Sequence, residues 1–147
     1  MKSIYDQHIR AGIIARVNAL TPGTAPLWGK MNLYQMVKHC RLWEEMSLGR
    51  TTYKRNFLGR VFGRIALARL ISDERPLAKN TPTIPELIIR DQGDIAVEKA
   101  AWIALLESYG AKPGPEIMHP FFGPISGEQT GWLAYKHADH HLRQFNG

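Results

Sequence analysis

The sequence has one cysteine and no long hydrophobic run, and both shortages limit what the chain can be. A lone thiol, Cys40, rules out a disulfide within the chain, so we expect a cytoplasmic protein. No stretch approaches the roughly 18–20 apolar residues that a membrane-spanning helix requires. The first residues, MKSIYDQHIR, lack the apolar segment of a signal peptide. A length of 147 residues with 44% apolar residues predicts one globular domain over residues 1–147.

Positive charge is present but dispersed. The formal net charge is +6 with the six histidines counted as neutral, and no Lys/Arg tract or nucleic-acid-binding motif is present. We therefore expect neither nucleic acid nor a membrane as a partner. Arg60, Arg64 and Arg69 allow another interpretation, since they flank an apolar helix side that could contact a membrane surface or nucleic acid. Packing of that side onto the bundle or onto a second subunit is the simpler explanation.

Four segments have the periodicity of amphipathic helices. Asn32 with Gln35, and Ser126 with Gln129, have the spacing of a capping box, and Asp94 is suited to cap a third helix. Turn signals rich in proline and glycine separate the segments. The predicted helices cover about residues 3–20, 32–48, 94–110 and 126 to near the C-terminus.

The region between the second and third of these helices is irregular. Its middle part, NFLGRVFGRIALARLI, predicts a short helix in which Gly59, Gly63 and Ala66 would allow close packing. The following ERPLAKNTPTIPELIIRDQGD contains three prolines and should be extended or looped, as should AKPGPEIMHPFFGPIS further on. The sequence thus predicts an all-α protein, a four-helix bundle with an additional short helix and a long irregular loop.

The last helix contains the segment Lys136-His-Ala-Asp-His-His141. At about 100° per residue, His137 and His141 lie one turn apart on the face toward the bundle interior, and His140 lies at its border. Imidazoles at this spacing can bind one metal ion. Ala138 stands where zinc proteases have glutamate, so a protease is excluded. The outer face is predicted to contain Glu128, Gln129, Lys136, Asp139 and Arg143.

A useful metal site needs a third ligand, and His8, His39 and His119 are the candidates. The residues favour His39, because it lies in the apolar band of the second helix and imidazole buried without a partner is unfavourable. His8 has only small neighbours, and His119 precedes a proline in a loop, where a packing role is expected. Lys38, Arg41, Glu44 and Glu45 are predicted to lie on the outer side of the second helix. Four residues from several segments are predicted to lie in the core: Cys40, Trp43, Trp102 and Trp132.

Two interpretations of the inward histidines stay open on this basis. They could share a metal ion, or each could form its own hydrogen bond to a buried carboxylate or carbonyl. The residues also identify no general base. Glu44, Gln35, His140 and Gln144 are close in sequence to the histidines, but each has the pattern of a surface or supporting residue.

Beyond these spacings, the chain resembles a known group of proteins. One histidine on the second helix with His-x-x-x-His on the last is the metal pattern of the DinB/YfiT-like superfamily of metalloenzymes. PLWGKMNLYQMVKHC (residues 26–40) and HPFFGPISGEQTGWLAYKHADHHLRQF (residues 119–145) resemble the signature segments of one uncharacterised bacterial family in that superfamily. The NTPTIP stretch fits too, so the resemblance covers most of the chain.

The resemblance implies an up-down-down-up bundle that is often dimeric, with a divalent metal held by His39, His137 and His141. Characterised relatives are thiol-dependent transferases or isomerases. We therefore expect a metal-dependent transferase or hydrolase acting on a small molecule, with a thiol as a possible partner. Imidazole ligands suit zinc and nickel equally. The alternative is a non-catalytic helical module that binds a small ligand or a metal.

Overall fold

A computed structural model describes all residues, 1–147. It contains five α-helices, a short 3-10 helix and one two-stranded hairpin. None of the helices combines the length and the apolarity that crossing a membrane requires. In chain order the elements are α1 (Gln7–Ala19), α2 (Leu33–Ser47), α3 (Phe57–Leu70), the 3-10 helix (Pro85–Leu87), α4 (Ile95–Glu107), β1 (Ile117–His119), β2 (Gly123–Ile125) and α5 (Gly127–Gln144).

The helix starts follow local side-chain chemistry. Both predicted capping boxes are confirmed, at Asn32 with Gln35 and at Ser126 with Gln129. Asp94 caps α4 as expected. The first helix begins later than predicted, at Gln7. The Asp6 carboxylate accepts hydrogen bonds from the backbone N–H groups of His8 and Ile9 and so caps the helix at this point.

Four of the helices form the bundle. In the order around the bundle, α1 packs against α4, α4 against α2, α2 against α5, and α5 against α1. Their inward faces form a continuous hydrophobic core in which Trp102, Phe145 and Leu142 are fully buried. The all-α helical bundle predicted from the sequence is therefore confirmed.

A small β-hairpin lies where only a loop was predicted. Strands β1 and β2 pair antiparallel, with Ile117 opposite Ile125 and His119 opposite Gly123. The His119 Nδ1 accepts hydrogen bonds from the backbone N–H groups of Phe121 and Phe122, both at 3.1 Å, which holds the turn together. Strands this short have too little periodicity to be detected beside so many prolines and glycines.

Helix α3 lies outside the bundle and packs against the hairpin through its smallest residues. A Cβ at Gly59 or Gly63 would lie only 2.4 or 2.1 Å from the carbonyl oxygen of Phe121, so the predicted role of these glycines in close packing is confirmed. The apolar side was expected to pack onto the bundle or onto a second subunit, and the first of these alternatives is wrong. That side faces outward and is 55–76% exposed, at Phe57, Leu58, Val61, Phe62 and Ile65.

Glycine-dependent packing makes Gly63→Ala a destabilising substitution. The new methyl group would collide with rigid backbone, and overpacking of this kind lowers the free energy of unfolding by about 1–3 kcal/mol. The matched control is Gly12→Ala on α1, where a Cβ meets nothing within 4 Å. There we expect an increase of about 0.5–1 kcal/mol from helix propensity. Urea denaturation measures both, and a shift of the same sign in the two variants would contradict the packing.

Three residues assigned to outer helix faces are buried instead, and these predictions are wrong. Glu44 is 0% exposed and its Oε2 accepts a 2.5 Å hydrogen bond from the Tyr109 hydroxyl. The Lys136 ammonium donates to the carbonyls of Leu70, at the end of α3, and Asp73, just beyond it. Asp139 accepts from Arg16 and Arg143. In each case a partner from outside the helix compensates burial, which a helical projection of one segment does not reveal.

Candidate metal centre

Helices α2 and α5 bring three histidines from distant parts of the chain together. His39, His137 and His141 each offer one ring nitrogen, and these nitrogens all lie within 4.8 Å of one another. The ring centroids are 4.7–5.0 Å apart. Of the three candidates for the third member, His39 is the one that joins the pair on α5, as the residues favoured. The group has the size of a site for one metal ion.

Two of the rings are held by a hydrogen bond at the nitrogen that faces away from their neighbours. The His39 Nδ1 lies 2.9 Å from the carbonyl oxygen of Leu87, and the His141 Nδ1 lies 2.9 Å from Oε1 of Gln144. A carbonyl oxygen can only accept, so each Nδ1 carries the proton and donates. The Nε2 of both rings is then unprotonated, with its lone pair available to a metal ion.

The third ring, His137, has no such hydrogen bond. It stacks on the indole of Trp43 with ring centroids 4.5 Å apart and an interplanar angle of 17°. Its Nδ1 is buried without a hydrogen-bond partner, while its Nε2 lies 3.0 Å from the Nε2 of His39. Two lone pairs cannot face each other at that distance, so a proton or a cation must lie between these nitrogens. One converging nitrogen from each of three buried imidazoles is a donor set that fits a divalent ion.

Burial keeps these histidines in the neutral form that binds metals. Burial is the main cause that lowers the pKa of His39, with the Leu87 carbonyl opposing it. The pKa values of His137 and His141 are lowered well below the ordinary range by burial and then by the neighbouring imidazoles. The cluster contains no carboxylate and no thiolate. Near neutral pH it is therefore an uncharged site of three imidazoles.

The remaining candidates lie outside this cluster. His8 is on the exposed side of α1. His119 holds the hairpin turn, and burial lowers its pKa to about 4. His140 contacts the ring of His141 edge-on but is not one of the three converging residues. Cys40 is fully buried, and its thiol donates to the Met36 sulfur at 3.7 Å, which confirms the assignment to the core.

The residues that contact the three histidines could be predicted only in part from the sequence. Gln144 follows His141 by three positions on one helix, a spacing that allows contact, and a supporting role was one of the two roles expected for it. Trp43 follows His39 on α2, yet it stacks on His137 of α5, which only tertiary packing reveals. Leu87 contributes its main-chain oxygen, and no side-chain pattern signals that contact.

Comparisons with known proteins identify one family. Neither the curated proteins nor the solved structures that were searched include a match to this chain. A family model does match, described as a protein of unknown function, DUF1569, and it covers residues 7–147. That range includes every helix of the bundle and all three converging histidines. The chain therefore belongs to the DUF1569 family.

Proposed function

We propose that His39, His137 and His141 hold one divalent metal ion, and that the ion serves a transfer or hydrolysis reaction on a small molecule. The observation that carries the proposal is the convergence of three imidazole nitrogens within 4.8 Å, two of them oriented by hydrogen bonds at the opposite ring nitrogen. Separate hydrogen bonds to buried groups would explain His39 and His141, but the Nε2 of His137 faces the Nε2 of His39 at 3.0 Å and no buried carboxylate or carbonyl.

The same arrangement supports a relationship to the DinB/YfiT-like superfamily of metalloenzymes. Its ligand pattern has one histidine on the second bundle helix and two, four residues apart, on the last, as in His39 on α2 and His137 and His141 on α5. In this proposal residues 1–147 form one such domain. The small-molecule thiol used by characterised members of the superfamily is a candidate co-substrate.

The ligand set determines what the site could contribute. A divalent ion bound there would act as a Lewis acid that lowers the pKa of a water or thiol and so provides a nucleophile near neutral pH. His39, His137 and His141 would bind the ion as neutral ligands and leave its positive charge uncompensated. Trp43 would limit rotation of the His137 ring by stacking on it. Zinc and nickel both suit imidazole, so both are candidates.

Elemental analysis of protein purified without a polyhistidine tag tests the proposal, because a tag binds nickel itself. We expect about one zinc or nickel ion per chain, retained on dialysis against buffer, since three ligands and an oriented site favour tight binding. Protein that is fully folded and metal-free, and that takes up neither ion when each is added, would contradict the metal site.

One observation favours a second candidate function, a non-catalytic metal-binding module. His39 is only 3% exposed and His141 only 7%, so access for a substrate is restricted. The cobalt-substituted protein distinguishes the two candidates, since cobalt spectra respond to a new ligand. A change of the visible spectrum on adding a small thiol supports the enzyme, because catalysis needs an open coordination position. An unchanged spectrum at saturating thiol supports the module.

The outward apolar side of α3 supports a homodimer, and we propose that this side is its interface. Five large apolar side chains, Phe57, Leu58, Val61, Phe62 and Ile65, form one exposed surface on a 14-residue helix. Soluble monomers seldom expose a large contiguous apolar patch. In a symmetric dimer the same surface of the second copy would cover it.

Val61→Glu should convert the dimer into a monomer, because a carboxylate in the middle of the interface would lose its hydration without gaining a partner. Val97→Glu is the matched control, since Val97 is 62% exposed on α4, away from this surface. Sedimentation equilibrium at micromolar concentration measures the result. A monomeric parent protein, or a Val61→Glu variant that dimerises like the parent, would refute the interface.

A further inference from the structure

The side chain of Gln144 connects the histidine cluster to the loop before α2. Gln144 is 4% exposed at the end of α5. Its Nε2 donates to the carbonyl oxygen of Trp28 at 2.8 Å, and its Oε1 lies 2.9 Å from the Nδ1 of His141. Only the amide nitrogen can donate to a carbonyl, so the Trp28 contact determines which way the amide points. The oxygen must therefore face His141 and accept its Nδ1 proton.

The backbone of the loop before α2 lies close to the side-chain amide of Gln144. Gly29 has a φ of +82°, and a Cβ at that position would lie 2.6 Å from the Nε2 of Gln144. The backbone N–H of Leu27 donates to the main-chain oxygen of Gln144 at 2.7 Å. The loop thus contacts both the main chain and the side chain of Gln144, and a glycine in the left-handed conformation leaves the space that the amide occupies. These contacts fix the orientation of the Gln144 amide, and with it the group that faces the Nδ1 of His141.

We infer that Gln144 is a positioning residue that holds His141 in the tautomer with Nδ1 protonated and Nε2 directed to the common point of the three histidines. The benefit to metal binding rests on the proposed function, whereas the tautomer does not. Leu87 holds His39 in the corresponding tautomer, but it does so through a main-chain oxygen that substitution cannot remove. His137 has no equivalent partner. Gln144 is therefore the side chain at which a hydrogen bond that orients a ligand can be removed without changing the ligand itself.

Gln144→Met tests this inference, because it keeps the length of the side chain and removes both hydrogen bonds. In metal-free protein labelled with ¹⁵N in histidine, the nitrogen chemical shifts should show His141 protonated at Nδ1 in the parent and a mixture of tautomers in the variant. Zinc affinity should fall by about 10–100-fold, the usual effect of losing a group that orients a ligand. Gln144→Glu keeps an acceptor for Nδ1 and should restore the parent tautomer.

His39 is the internal control, since its tautomer depends on Leu87 and should be unchanged in both variants. A Gln144→Met protein in which His141 keeps only the Nδ1 proton overturns the inference, even if the parent binds zinc tightly. A shifted tautomer with undiminished zinc affinity overturns the positioning role. If the parent binds neither zinc nor nickel, the proposed function fails, and the nitrogen shifts still decide whether Gln144 sets the tautomer.

Discussion

Replacement of His137 by alanine is expected to abolish stoichiometric metal binding. The substitution leaves two ligands on two different helices, His39 and His141, and removes the ring whose nitrogen lies 3.0 Å from that of His39. Loss of a group that merely orients a ligand lowers metal affinity by about 10–100-fold, so loss of a ligand should lower it by at least about 100-fold. Equilibrium dialysis against zinc followed by elemental analysis measures the effect.

Controls separate this effect from general damage to the fold. His8→Ala removes an exposed histidine of α1 and should keep one ion per chain. Because alanine leaves a gap beside the indole of Trp43, His137→Gln serves as a second variant of closer size. Far-ultraviolet circular dichroism should show parent-like helix content in all three. A folded His137 variant that retains stoichiometric zinc would overturn the ligand assignment.

Glu44→Gln is expected to change how stability depends on pH. Burial raises the pKa of Glu44 from 4.5 to about 8, although the hydrogen bond from Tyr109 opposes the shift. Between these two values the unfolded chain releases the proton and the folded chain keeps it. The stability that the protonated carboxyl contributes is complete below pH 4.5, falls as the pH rises, and is lost once the pH passes about 8.

Glutamine resembles the protonated carboxyl in size and carries no proton to lose. We therefore expect the free energies of unfolding of variant and parent to be similar near pH 5. The variant should then gain up to about 1.4 kcal/mol relative to the parent for each pH unit, or a few kcal/mol by pH 8. Urea denaturation at pH 5, 6.5 and 8 measures the difference. The buried histidines are present in both proteins, so their own titration largely cancels.

Glu107→Gln provides the matched control, because Glu107 is exposed on α4 and forms no hydrogen bond or ion pair through its side chain. A change that appears in both variants would come from removing a carboxylate as such and not from its burial. Parallel curves for the parent and Glu44→Gln would show that Glu44 ionises as readily in the folded protein as in the unfolded chain. That outcome would contradict the burial of its carboxyl between α2 and α4.

Local signals explain the part of the fold that could be predicted. Capping depends on residues three positions apart, so Asn32 with Gln35 and Ser126 with Gln129 identify helix starts without knowledge of the rest of the chain. The His137–His141 pair is likewise local, because residues four apart on a helix are neighbours. His39 was harder to assign, since its place in an apolar band only ranked it above His8 and His119.

The errors arose where a partner from another segment decides burial. Glu44, Lys136 and Asp139 looked like surface residues because a helical projection contains no information about Tyr109, Leu70 or Arg16. Helix α3 shows the converse. Its large apolar side chains were expected to pack onto the bundle or onto a second subunit, but the glycine side packs against the main chain at Phe121 and the apolar side faces outward.

By itself the sequence determined the all-α class, the helix starts and the pairing of His137 with His141, because these depend on propensity and spacing within one segment. Only the tertiary structure decided that His39 meets this pair, that Leu87 and Gln144 orient two of the rings, and that Trp43 stacks on the third. The physical reason is that a group bonded to one ring nitrogen of a histidine fixes the direction in which the lone pair of the other nitrogen points. In this protein those groups are the main-chain oxygen of Leu87 in the 3-10 helix and the Gln144 side chain at the end of α5, and their positions depend on the packing of the whole bundle.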